Sequence, residues 1–587
     1  MLPMTVEKTE AEYQHCKLIY INYKQKKAVM GFLFKFIAIL FYKNVFTFKP
    51  ISCIIDDSTF LYMRKNKNEK NEKYEKERYL LMKNMKKLVL MLLVCAMVFS
   101  PLISCSNKPA DDGTPTDGAE SGGADANENA SAEESTTDQY AVTDNLPSDL
   151  DFGGETIRVW LREVDTVFYT NEWEFTEEIK GEIFNDRLYE RELKVEERLN
   201  VNIEKTMMIT PFQKALKSIK ADDDEFDMIC DNAYDLASQA LEGIYVDLAN
   251  FPYIDYSMPW WPDTIIKDVT INNRMYSVTG DITPSVLGFM NCIFFNKNIA
   301  ANYEISGLYD LVFSGKWTFD KYSEFAKQVY KDVNGDGVPD KEDLFGVTTS
   351  DYYDVYFSAF EIPMTTTNAD GSLSLALGEK FYEAYNRLRE FSMDISSLPQ
   401  VISNNNEAVN YSNDVEFFAN GQLLFFGGLL RFSEYYRAME ADYGILTVPK
   451  WDEHQEGYHT TSHANYSLLS VPITVPQERR NTIGAVIEAL ASEGYRTVTP
   501  AYFDTTLKDK YSRDEETLKV LDILRNGLEF QPVMIYYKSM GDMLHLFRYA
   551  CYPQNTYDNM VSYYEKNVPK FEKAINKFNE YYLNVSE

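Results

Sequence analysis

Twelve consecutive residues, Asp332 to Asp343, carry the densest array of potential ligands in the chain. Side-chain oxygens fall at positions 1, 3, 5, 9 and 12 of the run, on Asp332, Asn334, Asp336, Asp340 and Asp343. Gly337 stands at the sharp turn of position 6, and Val338 offers its carbonyl at position 7, the spacing by which a loop wraps calcium. Asp in place of the usual Glu at position 12 shortens the arm available for bidentate ligation. A structural Ca2+ is therefore expected here. A second candidate is the group His454, His459 and His463, since His-x3-His on a helix can bind zinc. The stretch from Tyr458 to Ser467 is rich in Thr, Ser and Asn and lacks helical periodicity, so these histidines read as a polar loop or as ligand contacts. The aromatic side chains Trp160, Trp173, Trp260, Trp261, Trp317 and Trp451, with Tyr352, Tyr353 and Tyr356, supply rings on which the C–H faces of sugars pack. HExxH, GxSxG and GxxxxGK[ST] are all absent, so zinc proteolysis, a nucleophile elbow and ATP hydrolysis go unsignalled. A glycosidase needs two carboxylates about 5 to 9.5 Å apart. Among so many acids the sequence singles out no such pair.

These residues must be positioned by strands and helices, and the pattern of both is legible. Ile157, Val159 and Leu161 alternate with Arg158 and Trp160, a first strand entered through Gly153-Gly154. Phe184, Leu188, Val195 and Leu199 lie on one face of a helix that should end near Asn200. Val201 and Ile203 open a second strand, and Phe226 to Cys230 forms a third, followed by a helix from about Ala233 to Leu241. Strands alternating with helices predict an α/β fold with a parallel sheet. Phe319, Tyr322, Phe325, Ala326 and Val329 predict a helix before the acidic loop. Leu344 to Thr349 predicts a strand after it, so a full helix-loop-helix unit is not expected.

The 587 residues include 58 Lys/Arg and 90 Asp/Glu, a formal charge of −32. That balance argues against nucleic-acid partners, which call for a basic face. The charge is unevenly placed: residues 1 to 104 hold a surplus of nine positive charges, leaving −41 from Cys105 onward. Met85-Lys86-Lys87 precedes an apolar run, Leu88 to Phe99, too short to span a bilayer and followed by small residues, which reads as a secretory signal over 82 to 104. Leu102-Ile103-Ser104-Cys105 resembles the bacterial lipobox. That resemblance implies a lipidated Cys105 as the first mature residue and a lipoprotein on the outer face of the cell membrane. Translation is expected to start at Met82 or Met85, with residues 1 to 81 forming no domain. Residues 105 to 152 are rich in Gly, Ala, Ser, Thr, Asp and Glu, and are expected to be a disordered acidic tether. Of seven cysteines only Cys105, Cys230, Cys292 and Cys551 would survive maturation, with no CxxC, so no disulfide framework is expected.

Asp151 to Gly154, Asn185 to Asn200, Pro259-Trp260-Trp261, Phe295-Asn296-Lys297, Gly315 to Thr318, Asp332 to Asp343, and Tyr443-Gly444-Ile445 with Pro449-Lys450 stand in fixed order along the chain. In that order they resemble family 1 extracellular solute-binding proteins of ABC importers, the family that includes the maltose-binding proteins. The resemblance implies a two-lobe α/β fold of the periplasmic-binding-protein type with hinge strands between lobes. Lobe 1 would comprise 153 to 290 and 467 to 530, and lobe 2 would comprise 291 to 466 and 531 to 587. It further implies a sugar or oligosaccharide ligand, permease partners with a separate ATPase, and no enzymatic turnover. Ligand contacts are expected from Glu163 and Asp165 after the first strand, from Asp231 and Asn232 after the third, and from Asp351, Tyr352 and Tyr353. Arg431, after Gly427-Gly428, joins them, with Trp260, Trp261 and His463. A glycoside-processing enzyme and a calcium-stabilised adhesin are the alternatives.

Overall fold

The computed structural model describes residues 140–163, 172–173, 183–348, 351–398, 411–507, 515–551 and 559–584. The signal segment, Cys105, most of the tether and Asp165 lie outside them, as do the side chains of Asp351 and Tyr352. The described chain opens with β1 (Glu155–Arg162), α1 (Ile183–Leu199), β2 (Val201–Met208), α2 (Pro211–Lys220), β3 (Met228–Asn232) and α3 (Ala233–Ala240). Strand β1 pairs in parallel with both β2 and β3. Ile157 and Val159 are fully buried, as their alternation predicts, but Trp160 is buried too, stacked on Phe226 at 4.2 Å with the Lys214 ammonium over its other face. Helices on both faces of a parallel sheet bury both sets of side chains.

At Asn291 the chain enters a second sheet, formed by β4 (Asn291–Asn296), β5 (Leu344–Thr348), β6 (Leu423–Leu429) and β7 (Tyr443–Leu446), with α4 (Phe319–Lys327) beside β5. Strand order is β7-β4-β6-β5, extended by the short strand Tyr330–Lys331, and Ser397–Leu398 also pairs with β5. The chain then returns to the first sheet as β8 (Ser467–Ser470), antiparallel to β3, giving the order β8-β3-β1-β2. Each sheet with its helices is one lobe, and the two-lobe α/β architecture expected from the sequence is the one found.

Three segments cross between the lobes and bond to one another. Asn291 N donates to Thr461 O (3.1 Å) and His463 N to Phe289 O (2.9 Å), while Thr460 N donates to Gly527 O and Glu529 N to Thr460 O, both at 2.9 Å. The crossings form a narrow ribbon held by backbone bonds. Gly527 has to be glycine there, because a Cβ would meet the Tyr458 carbonyl oxygen at 2.1 Å. After β8, α5 (Arg480–Glu493) packs on α1 in the first lobe. Helix α6 (Glu515–Asn526), expected with that lobe, packs instead against β7 and the Leu308–Phe313 helix. Its Thr517 hydroxyl bonds Tyr309 at 2.7 Å, and only its end returns to lobe 1, where Arg525 pairs with the buried Asp281 at 2.9 Å. The long α7 (Met560–Asn584) touches both lobes: Asn579 bonds Leu373, and Tyr582 packs on Tyr276.

Candidate ligand-binding site

A cavity of about 250 Å³ lies against the ribbon of crossings. Its back is the second crossing, Thr461 to Tyr466, with Asn291 from the first and Phe530 just beyond the third. Tyr234 of lobe 1 and Asp354 and Val355 of lobe 2 both line it. The remaining wall is Met534, Tyr537, Leu544, His545 and Arg548.

Local rules of helix and strand termination place several of these groups. Asn232 ends β3, and its side chain accepts from Asp235 N at 2.9 Å, an N-cap that starts α3 and sets Tyr234 in its first turn. Asp231 is buried and accepts from Phe212 N (3.0 Å) and Asn232 N (2.7 Å); burial raises its carboxyl to about 6, against the pull of Arg162. Arg162 in turn donates to the Asn465 carbonyl at 2.8 Å and so braces the back of the cavity. In lobe 2, Asp354 follows β5 and accepts from Arg548 Nε at 2.7 Å and pairs with His545 Nδ1 at 3.3 Å. Burial alone would raise the Asp354 carboxyl, but Arg548 and His545 outweigh it and hold it below the ordinary carboxylate value. His463 is buried, and burial with the neighbouring Arg548 charge lowers its imidazole to about 3, leaving it neutral at pH 7. The wall is aromatic: Tyr466 lies 4.9 Å from Phe530, Tyr234 lies 5.6 Å from Tyr537, and Tyr537 meets the His545 ring edge-on at 5.2 Å. Asn291 Oδ1, Asp354 Oδ1, Thr461 Oγ1 and the Tyr466 hydroxyl are buried there without a hydrogen-bond partner. Such atoms are costly unless something bonds to them.

Among the expected contacts His463 lines the cavity. Asp231 and Asn232 stand behind it as the brace and the cap just described. Trp260 and Trp261 belong to the core: both are buried, and their indole N–H groups donate to Glu488 at 3.2 and 2.9 Å. Tyr353 gives its hydroxyl to Ser392 at 2.8 Å, and its neighbour Asp354 faces the cavity instead. Arg431 is buried over the Phe289 ring at 5.2 Å, away from the cavity wall, and Glu163 is an exposed residue past the end of β1. Tyr234, Asp354, Tyr537, His545 and Arg548 were missed. The D-N pair closing β3 carried a signal for Tyr234, through its capping geometry; the wall from 534 to 548 is built by packing distant segments together and carried none.

His459 explains why the His-x3-His spacing gathers no metal ligands. Its ring sits between Glu361 and Glu529, each at 3.2 Å, and the Glu529 bond raises its pKa despite burial. In the acidic loop, Asp332 accepts from Gly335 N and Gly337 N, Asp336 from Val338 N, and the buried Asp343 from Val333 N, while both glycines hold positive φ. Among the described residues no three His, Cys, Asp or Glu side chains gather as a metal-holding group.

No family model and no curated protein matches the sequence. Solved structures are similar to the chain at low sequence identity. An ABC substrate-binding protein from Listeria monocytogenes, in complex with cycloalternan, is 15% identical over 72% of this chain and 99% of its own, with a TM-score of 0.44. A sugar transporter from Rhizobium etli in an open conformation is 13% identical over 73% and 100%, at 0.46. The maltose-bound MalE3 of T. maritima is 13% identical over 73% and 99%, at 0.41.

Proposed function

We propose that the chain is the solute-binding component of an ABC importer, capturing a sugar by closing two lobes about the three-crossing hinge. The observation that carries this is the cavity itself, which lies on the hinge and is lined by both lobes. A ligand seated there touches both lobes only when they close, so it favours the closed state by its differential contacts. Lipidation at Cys105 would hold the protein on the outer face of the membrane, with the acidic tether giving reach. Permease subunits and a separate ATPase would supply transport and its energy. Glycoside processing is the weaker reading, because among the described lining residues only Asp354 is a carboxylate and the reaction uses two. A thermal-shift screen of glycans, peptides and polyamines, with product analysis of each hit, tests the proposal. Sugars are expected to raise the melting midpoint and to be recovered unchanged. Products would make the protein an enzyme, and a peptide-only hit would remove the sugar assignment.

A further inference from the structure

We infer that the last turn of α7 is a latch between the lobes, tying lobe 1 to lobe 2 outside the three crossings and biasing the two-lobe equilibrium before any solute arrives. The inference concerns how the lobes are held, whichever solute they take. Its failure would leave the capture proposal standing.

Two residues on that turn carry it. Asn579 is fixed to lobe 2: its Nδ2 donates to Leu373 O and its Oδ1 accepts from Leu373 N, both at 2.8 Å. Leu373 opens the short strand Leu373–Leu375, which pairs with Thr365–Thr367 in a hairpin of lobe 2. Tyr582 is fixed to lobe 1: its carbonyl oxygen accepts from Asn272 Nδ2 at 3.0 Å, and its ring lies 5.7 Å from that of Tyr276. A helix rises ~1.5 Å per residue, so the two attachments stand ~4.5 Å apart along one turn. A helical turn does not stretch. Rotation of the lobes about the ribbon that carries the 271–274 turn away from the hairpin must therefore break one attachment or the other.

The seam is shaped for this contact. Asn272 and Asn273 hold positive φ, 48° and 58°, in a turn closed by the pairing of Ile271 with Arg274, a conformation asparagine tolerates. Gly371, between the two hairpin strands at φ +81°, comes so near that a Cβ there would meet Asn272 Oδ1 at 2.7 Å. Hairpin and α7 thus meet lobe 1 at the same side chain. The latch also reaches the cavity wall, since the buried Tyr582 hydroxyl bonds that of Tyr536 at 2.7 Å, and the next residue, Tyr537, lines the cavity. By holding the lobes where both line the cavity, the latch raises the share of the protein competent to bind, and apparent affinity follows that share.

Pulsed-dipolar distance measurement on the ligand-free, full-length chain tests this, with nitroxides on ketone-bearing residues introduced at the exposed positions Asp223 of lobe 1 and Lys316 of lobe 2. The parent is expected to give one dominant distance. Asn272→Gly keeps the left-handed backbone and deletes the amide; Asn579→Ala frees the hairpin. Each is expected to raise the population of a second distance about fivefold or more, the shift that one ordinary hydrogen bond controls. Because both variants open the same latch, the double variant is expected to shift the populations less than the two singles combined. A merely structural role would lower the melting midpoint and leave the distance alone. The same single distance in every variant would overturn the inference. Should Asn579→Ala fail to fold, Asn272→Gly, at a partly exposed position, decides by itself.

Discussion

Glu488 accepts from the indoles of Trp260 and Trp261, yet burial outweighs these donors and lifts its carboxyl from an ordinary 4.5 to about 7. The folded state therefore holds a proton that the unfolded chain releases near pH 4.5. The stability this confers is full below that pH and is lost as pH rises through 7, amounting to about 3 kcal/mol at ~1.4 kcal/mol per unit. Glu488→Gln, neutral at every pH, is expected to flatten the decline in melting midpoint between about pH 5 and pH 8. Parallel curves for parent and variant would show that the carboxyl does not titrate in this window. The same residues mark how far side chains can be read from sequence. The Trp pair carries the ring chemistry of a sugar site, and nothing local reveals that Glu488, more than two hundred positions away, takes both N–H groups into the core.

At the scale of elements, the acidic loop between α4 and β5 keeps its sequence pattern in three dimensions. Gly335 and Gly337 supply the left-handed turns, and the carboxylates of Asp332, Asp336 and Asp343 fold back on loop amides. No three of these acids gather as a metal-holding group in the arrangement described; we propose that calcium, on binding, would draw in the oxygens of Asp332, Asn334, Asp336, Val338, Asp340 and Asp343 and relieve the mutual repulsion of the acids. Calcium is then expected to raise the melting midpoint and chelator to lower it, by mass action on the folded state. A midpoint independent of calcium would remove the site. The helices and strands around the loop, 319–327 and 344–348, fell where periodicity placed them, because each has one buried face and local spacing records it. Helix α6 did not follow the expected lobe. Its apolar face is written in the sequence, but which sheet covers that face is a matter of long-range packing.

For the whole molecule, no helix among the described residues is long and apolar enough to cross a membrane. Independently of that, we propose attachment through lipid at Cys105, on the lipobox resemblance of Leu102 to Cys105. Cys105→Ala, expressed from Met85, is expected to stay unprocessed or be released to the soluble fraction; anchoring identical to the parent would refute the assignment. What the sequence alone determined is the alternation of strands and helices that makes an α/β fold and most element boundaries, which depend on periodicity, glycine and cap positions set within a few residues along the chain; the two-lobe arrangement was legible only through the family resemblance of segments far apart in the chain. Only the tertiary structure decided that Trp260 and Trp261 are core, that Asp354 rather than Tyr353 faces the cavity, and that the 534–548 segment closes it. Those facts depend on which distant surfaces pack together, and burial then sets the charge of Asp231, His463 and Glu488, a quantity that no local spacing encodes.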